Sequence, residues 1–500
     1  NDEFELIYNI KPEERIFFNN LQLKIPDDFL NQNYSKLDDL FDELKGEPYS
    51  INAVEEILDI IDEITLNEEF KSINASVQEK ISSNQIDINF VITEAEKFFV
   101  QKINIFGNNI TRENVIRNQL EIDEGDPYNE ILQKKSENNL KSLNFFKTVN
   151  TEVLDGDDQN SKIININLEE KATGEISAGA GFGTSGSSFN FGVRENNYLG
   201  KGLSIDTNAT ISADSFRGKF GITNPNYKNS DKSVYVNVQA IDIDRTKTYG
   251  YKTNKTGFEV GTSFEYLKDF NLGLSGRSFY EKIKTDSTAS ITQQKQEGDY
   301  FDTFVNLNFD YDKRNQRFKT SKGFRSFYGI DVPVISDTKT LTNTYSYKYF
   351  AELYENNIST MSFFLKSANS IAGEDIKLSE RLSIPGSRLR GFEIGKVGPK
   401  DGVDFVGGNY ASALNLTTTL PNVLENAQNV DFLVFFDAAN LWGIDYDSSL
   451  GDGSKIRSSV GVGVDWFTPI GPLNFSLSET LTKSKTDVVE SFRFNIGTTF

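Results

Sequence analysis

Residues 491–500 read SFRFNIGTTF, and how these ten positions are read decides the fold. Phe492, Phe494, Ile496 and Phe500 fall on one face of an extended strand, while Arg493 and Asn495 fall on the other. A soluble β-sandwich has no need of such a strand, whereas one that completes a membrane barrel turns its apolar face to lipid. The same alternation recurs upstream in Leu203, Ile205, Thr207, Ala209 and Ile211, in Val234, Val236, Val238 and Ala240, and in Val305, Leu307, Phe309 and Tyr311. Turn clusters such as Asn224-Pro225-Asn226 and Asp312-Lys313-Arg314-Asn315 separate these runs. At about 20 residues per strand and connection, the roughly 330 residues after position 171 hold about sixteen strands. The expected fold is multidomain membrane β: two α/β modules, then a roughly 16-stranded antiparallel transmembrane β-barrel.

Composition removes most alternatives. No window approaches eighteen consecutive apolar residues, which excludes a helical membrane span, but barrel strands need only about 9–11 residues of alternating polarity. The mean hydropathy of −0.44 is therefore compatible with a membrane protein. A net charge of −21 argues against nucleic acid as a partner, since such binders carry a basic footprint. The chain has no histidine and no cysteine. Disulfides, thiolate and imidazole metal sites and Ser-His-Asp or Cys-His nucleophiles are thereby excluded, and barrel enzymes of the phospholipase or protease type go with them. No catalytic residue, cofactor or metal is expected. Acidic clusters such as Asp155-Gly156-Asp157-Asp158 and Gly451-Asp452-Gly453 read as solvated turns. With no initiator Met and no signal-peptide pattern at Asn1, the chain reads as a mature or trimmed piece.

The periodicity changes near residue 171, and a repeat lies before that point. Gly46-Glu47-Pro48-Tyr49 matches Gly125-Asp126-Pro127-Tyr128 at an offset of 79, and the segment from Phe70 to Val77 matches Phe146 to Val153 at an offset of 76. The change of three places a short deletion in the second helix of the later copy. Each copy reads strand, helix, helix, strand, strand. In the first, Leu37, Leu40, Phe41 and Leu44 line one helical face and Val54, Ile57, Leu58 and Ile61 another. In the second, Thr111 is the expected N-cap, and Leu132, Ser136, Leu140 and Leu143 share a face.

Gly181-Phe182-Gly183-Thr184-Ser185-Gly186 matches G-x-G-x-x-G, yet Ser187 to Val193 alternates as a strand where a dinucleotide site needs a helix. The glycines instead weaken the first barrel strand, which must pair with the last one. A seam is expected between Ile176 to Phe182 and Phe492 to Thr498, marked by Gly179, Gly181, Gly183, Phe492, Phe494, Ile496 and Phe500.

A long loop, RLSIPGSRLRGFEIGKVGPKDGVDFVGGN at 381–409, carries Arg390 at a glycine-flanked tip. Around it stand the barrel start at Glu175 to Gly183, Gly200-Lys201-Gly202, the stretch Phe436 to Trp442, Arg457 to Gly463, and Trp466 to Leu473. In this order they resemble the POTRA-plus-barrel insertases of the bacterial outer membrane, across essentially the whole chain. The resemblance implies that residues 1–14 are the last strand of a truncated preceding POTRA domain, that 15–97 and 98–171 are POTRA domains, and that 172–500 is the barrel. It also implies a loop folded into the lumen, with Leu389, Arg390, Gly391 and Phe392 as its motif and Asp437 on a late strand as the partner of Arg390. In a wet lumen that pair would contribute about 0.5–2 kcal/mol. The motif's usual first residue is Val where this chain has Leu389. Many members carry a Glu after the GGN stretch, where this chain runs Ser412 to Leu416, so that acid's role does not carry over.

The implied function is insertion of outer-membrane β-barrel proteins by strand templating at the lateral seam. The implied location is the bacterial outer membrane, with the POTRA domains in the periplasm. Unfolded outer-membrane protein clients, accessory periplasmic lipoproteins of an assembly complex and outer-membrane lipid are the partners it implies. A related POTRA-barrel transporter, for two-partner secretion or translocation assembly, shares the architecture; the barrel start and Trp466 to Leu473 favour the insertase. A passive porin would lack both the repeat and the LRGF tip.

Overall fold

The computed structural model describes residues 16–497 apart from 26–33, 51–52, 55–56, 59, 62–63, 65–72, 83, 95–97, 185, 318–319, 355–356, 421–428, 446, 448–449, 451–453 and 469–470. The expected leading strand, Phe70 to Ser72 of the repeat, the Gly451-Asp452-Gly453 turn and Phe500 lie outside the described residues. The chain divides into two compact units, residues 1–172 and 173–500.

The first unit holds two three-stranded sheets of the same topology. In one, Phe17–Lys24 runs parallel to the central Gln85–Glu94, whose other edge pairs antiparallel with Ile73–Ser82. In the other, Phe99–Phe106, Ser161–Glu170 and Phe146–Asp155 take the same places. Helical residues cover one face, and Leu37, Phe41, Ile57 and Ile61 bury against Phe18, Ile88 and Phe90. The sequence repeat has a structural cause. Gly46 and Gly125 both adopt positive φ, +88° and +99°, a left-handed conformation that favours glycine. Each glycine N–H then donates to the first strand, to Phe18 O at 2.8 Å and to Val100 O at 2.7 Å. The following prolines bridge Phe17 and Phe99.

Two expectations need correction. The helix after Gly107-Asn108-Asn109-Ile110-Thr111 spans only Glu113–Arg117 and its N-cap position is Arg112, with no side-chain cap bond. Thr111 sits one residue too early, and its N–H and that of Ile110 are taken by the Glu170 carboxylate, at 2.6 and 2.9 Å, which fixes the turn ahead of the helix. The single three-residue deletion is also incomplete. First strands are offset by 82, from Phe17 to Phe99, against 79 at the glycine turn. The later copy is therefore shortened before that turn as well, where the five-residue helix replaces the ten-residue Ser35–Leu44.

The second unit is a closed antiparallel barrel of sixteen strands, from Gly174–Gly183 round to Phe492–Gly497. Strand alternation sets its two surfaces: Phe189, Phe191, Val236, Val238, Phe258 and Val260 are exposed on the outside, and their neighbours in sequence point inward. The Gly181 to Gly186 stretch is a hairpin, with Gly183 paired to Gly186, so the dinucleotide pattern is indeed a turn between strands. Strand length varies round the wall, from 17 residues in Tyr251–Leu267 to six described in Phe492–Gly497.

Candidate functional site

Residues 371–409 connect Asn357–Ser370 to Tyr410–Leu420 and fold back against the inner wall. The tip is built on Gly391, whose φ of +86° suits glycine and whose place a Cβ would occupy only 3.0 Å from Ser459 Cβ. Beside it Leu389, Phe392 and Val397 bury against a wall of small side chains, Ala368, Ala411, Ala413 and Ala439, together with Leu441.

Arg390 meets Asp437 in a two-pronged pair. Its Nε donates to Oδ2 at 2.7 Å and its Nη2 to Oδ1 at 2.8 Å. The Arg390 backbone N–H adds a third bond to Oδ2 at 3.0 Å. Asn415 Nδ2 donates to Oδ1 at 2.8 Å and to Arg388 O at 2.9 Å. The guanidinium lies 3.4 Å from the Phe435 ring centroid, a cation–π contact. The Asp437 side chain is 0% exposed and that of Arg390 18%. The carboxylate is thus fully buried while the guanidinium borders a cavity of about 810 Å³, and the energetics on the Asp437 side are those of a buried charge. Such a pair adds little net stability over an apolar substitute, but removing one partner strands a charge and costs about 3–5 kcal/mol. Asn415, in the Ser412 to Leu416 stretch, supplies a donor to the aspartate.

Other fastenings of the loop were not predicted. Lys377 is fully buried and bonds Glu281 at 2.9 Å and Asp302, with Glu380 at 3.5 Å. Burial works against the Lys377 charge, but the Glu380, Glu281 and Asp302 carboxylates outweigh it and hold its pKa above the ordinary lysine value. Arg381 pairs with Asp445. The buried Arg457 pairs with Asp487 at 3.0 Å, and Asp487 also accepts the Gly398 N–H at 3.1 Å. Arg493, on the last strand, donates to Gly386 O at 2.7 Å, to Phe392 O and to Glu490. The usable signal was a charged residue at an inward-pointing position or in the long loop; its partner was not readable.

The described part of the seam includes Gly181, Phe182 and Gly183 of the first strand, and the expected Thr498 and Phe500 lie outside the described residues. Among the described residues the last strand pairs with the first through Asn495 to Gly183, Ile496 to Phe182 and Gly497 to Gly181, and the Thr184 N–H donates to Phe494 O at 3.1 Å. On its other edge the first strand pairs with the second, Gly179 facing Asn190. Phe492 and Phe494 pair with Leu477 and Phe475 on the other side, and their rings stack with centroids 5.9 Å apart. Gly497 has a φ of +81°, and a Cβ there would meet Ala180 O at 2.3 Å. Gly181 and Gly183 therefore bring no side chains to the described part of this edge.

Comparison with known proteins agrees with this architecture. A family model for the Omp85 superfamily domain matches residues 197–500, and one for POTRA, described as a surface antigen variable number repeat, matches residues 98–171. A curated relative from Nitratidesulfovibrio vulgaris, named outer membrane protein assembly factor BamA, is 25% identical over 447 residues, covering 86% of this chain and 54% of that protein. A protein of the same name from Neorickettsia risticii is 24% identical over 429 residues, covering 84% of this chain and 57% of its own length. The chain thus spans little more than half of these relatives. The crystal structure of BamA from Haemophilus ducreyi lacking POTRA domains 1-3 has the same fold, with a TM-score of 0.75 and 23% identity over 99% of this chain and 100% of that one.

Proposed function

The chain belongs to the Omp85 superfamily, and from that premise we propose that it is an assembly factor of the bacterial outer membrane, inserting unfolded β-barrel proteins at the seam between its first and last strands. A client strand carries backbone N–H and C=O groups that lipid cannot satisfy, so it enters only while they are being paired. A closed barrel has no free edge. Parting the seam exposes one, and the client adds to it strand by strand as in β-augmentation. Burial of the client's apolar face in lipid drives the process without a nucleotide. The observation that carries this reading is the seam itself, where two of the three described first-strand partners of the last strand are glycines, Gly181 and Gly183, with no side chain to pair across it. Arg390 and Asp437 hold the loop in the lumen while the edge is exposed. Residues 15–97 and 98–171 act as periplasmic POTRA domains that receive clients and accessory lipoproteins.

The test is the folding of an unrelated eight-stranded barrel protein, diluted from urea into phospholipid vesicles. Vesicles holding this chain accelerate its folding relative to empty vesicles and to vesicles holding a porin. Equal rates in all three would refute the assignment.

A further inference from the structure

We propose that Arg493 is a positioning residue that fastens the last barrel strand to the lumen loop, so that the seam parts by departure of the first strand while the last stays in place. This rests on the lateral-opening reading above and adds which edge moves.

The two sides of the seam are held very differently. Arg493 is buried, points inward, and spends its guanidinium on two loop carbonyls, Gly386 O and Phe392 O, with Glu490 beside it. Bonds from a charged donor are stronger than neutral ones. Just before the last strand, the chain joins the loop as a short antiparallel ribbon. The Glu393 N–H donates to Val488 O at 2.9 Å, Val488 N–H to Lys396 O at 3.0 Å and Glu490 N–H to Gly391 O at 3.1 Å. Phe392 bridges Val489. The loop is in turn fixed to strands away from the seam through Asp437, through Ser459, whose hydroxyl donates to Arg390 O, and through the Lys377 cluster.

The first strand has no such support. Among the described residues, no side-chain hydrogen bond or ion pair joins Gly174–Gly183 to the last strand or to the loop. A cavity of about 810 Å³ lies between the second-strand residues Gly186, Ser187 and Ser188 on one side and Pro385, Gly386 and Arg493 on the other. Arg493 and Asn495 of the last strand border the same cavity, so the difference between the two sides is the fastening and not the open space.

The chain has no cysteine, so spin labels go only where cysteines are introduced. Double electron–electron resonance on the full chain in phospholipid vesicles reads three pairs: Ile176 with Phe492 across the seam, Val403 with Phe492 from loop to last strand, and Val403 with Ile176 from loop to first strand. The added probe is an urea-unfolded eight-stranded barrel protein. The expected result is a longer 176–492 distance on adding the client, matched by a longer 403–176 distance, while 403–492 stays single and narrow. Arg493→Ala broadens 403–492, and Arg493→Lys, which still reaches one carbonyl, narrows it again; heat-modifiable migration on gels confirms that both barrels are folded. A lengthened seam in which 403–492 changes and 403–176 does not would overturn the fastening alone. A seam distance that never lengthens would overturn lateral opening and the fastening with it.

Discussion

Removing the Arg390 side chain is the most direct probe of the lumen loop. Arg390→Ala deletes two charge-assisted bonds and the contact with Phe435, leaving a fully buried Asp437 carboxylate. Loss of one partner from a buried pair costs about 3–5 kcal/mol. Asp437 keeps two donors, the backbone N–H of residue 390 and Asn415 Nδ2, which lowers the expected loss to about 2–4 kcal/mol. The readout is hydrogen exchange in detergent micelles at the Glu393 and Glu490 amides, which close the loop ribbon by donating to Val488 O and Gly391 O. Their protection should fall roughly thirty-fold to a thousandfold, at a factor of ten for each 1.4 kcal/mol or so. Asp437→Asn should cost less alone, and in a double-mutant cycle should remove most of the effect of Arg390→Ala. Exchanging the charges, Arg390→Glu with Asp437→Arg, should not rebuild the site, because a guanidinium at 437 would face the same two donors that now serve the carboxylate. A fall in protection smaller than about threefold, near 0.7 kcal/mol, would show that the pair does not hold the loop.

Three further outcomes are expected. A disulfide between Phe182→Cys and Ile496→Cys, direct partners across the seam, should stop client folding when oxidised and release it when reduced, while the control pair Val236→Cys and Val260→Cys has no effect; undiminished folding with the seam fully crosslinked counts against lateral opening. Expression of residues 173–500 in detergent should give a heat-modifiable β-rich species, and a helical or detergent-independent product would refute independence of the barrel. In residues 98–171, burial acts to raise the Glu170 pKa, but hydrogen bonds from the Thr111 hydroxyl and the Thr111 and Ile110 N–H groups outweigh it and set it below the usual glutamate value. The stability this contributes is present above the unfolded-state pKa and is lost as pH falls through the folded one, so the melting-temperature gap between wild type and Glu170→Gln should close under acid; a gap independent of pH would refute the assignment.

What the sequence disclosed follows from how each feature is encoded. Barrel strands declare themselves because an apolar outer face and a polar inner face impose a period of two on every residue from Leu203 to Ile211 or Val305 to Tyr311. The glycine turns at 46 and 125 were readable because their backbone conformation favours one residue type. Arg390 and Asp437 were found only through a motif shared with a family; nothing local to either residue names the other. Lys377 and Asp302 lie 75 residues apart, and Arg493 reaches Gly386 across 107, so each presents as an isolated charge until the barrel closes. The seam register escaped for another reason. Gly179, Gly181 and Gly183 carry no side chain with which to specify a partner, and the pairing is set by where the first hairpin closes, at Gly183 and Gly186, and where the last strand begins.

The alanines that line the loop's berth bear on how this protein can change. Ala413 and Ala439 are direct cross-strand partners, and in a scan for strand formers they are bland. A leucine at either position would leave the backbone ladder intact, since the side chain points away from the strand edges. It would nonetheless fill the volume now taken by Leu389 and Phe392 and evict the loop. Bulk gained on the wall must be given up at the tip. Wall and tip, far apart in the chain, are thus bound by one shared volume, and a change of size at either place calls for the opposite change at the other.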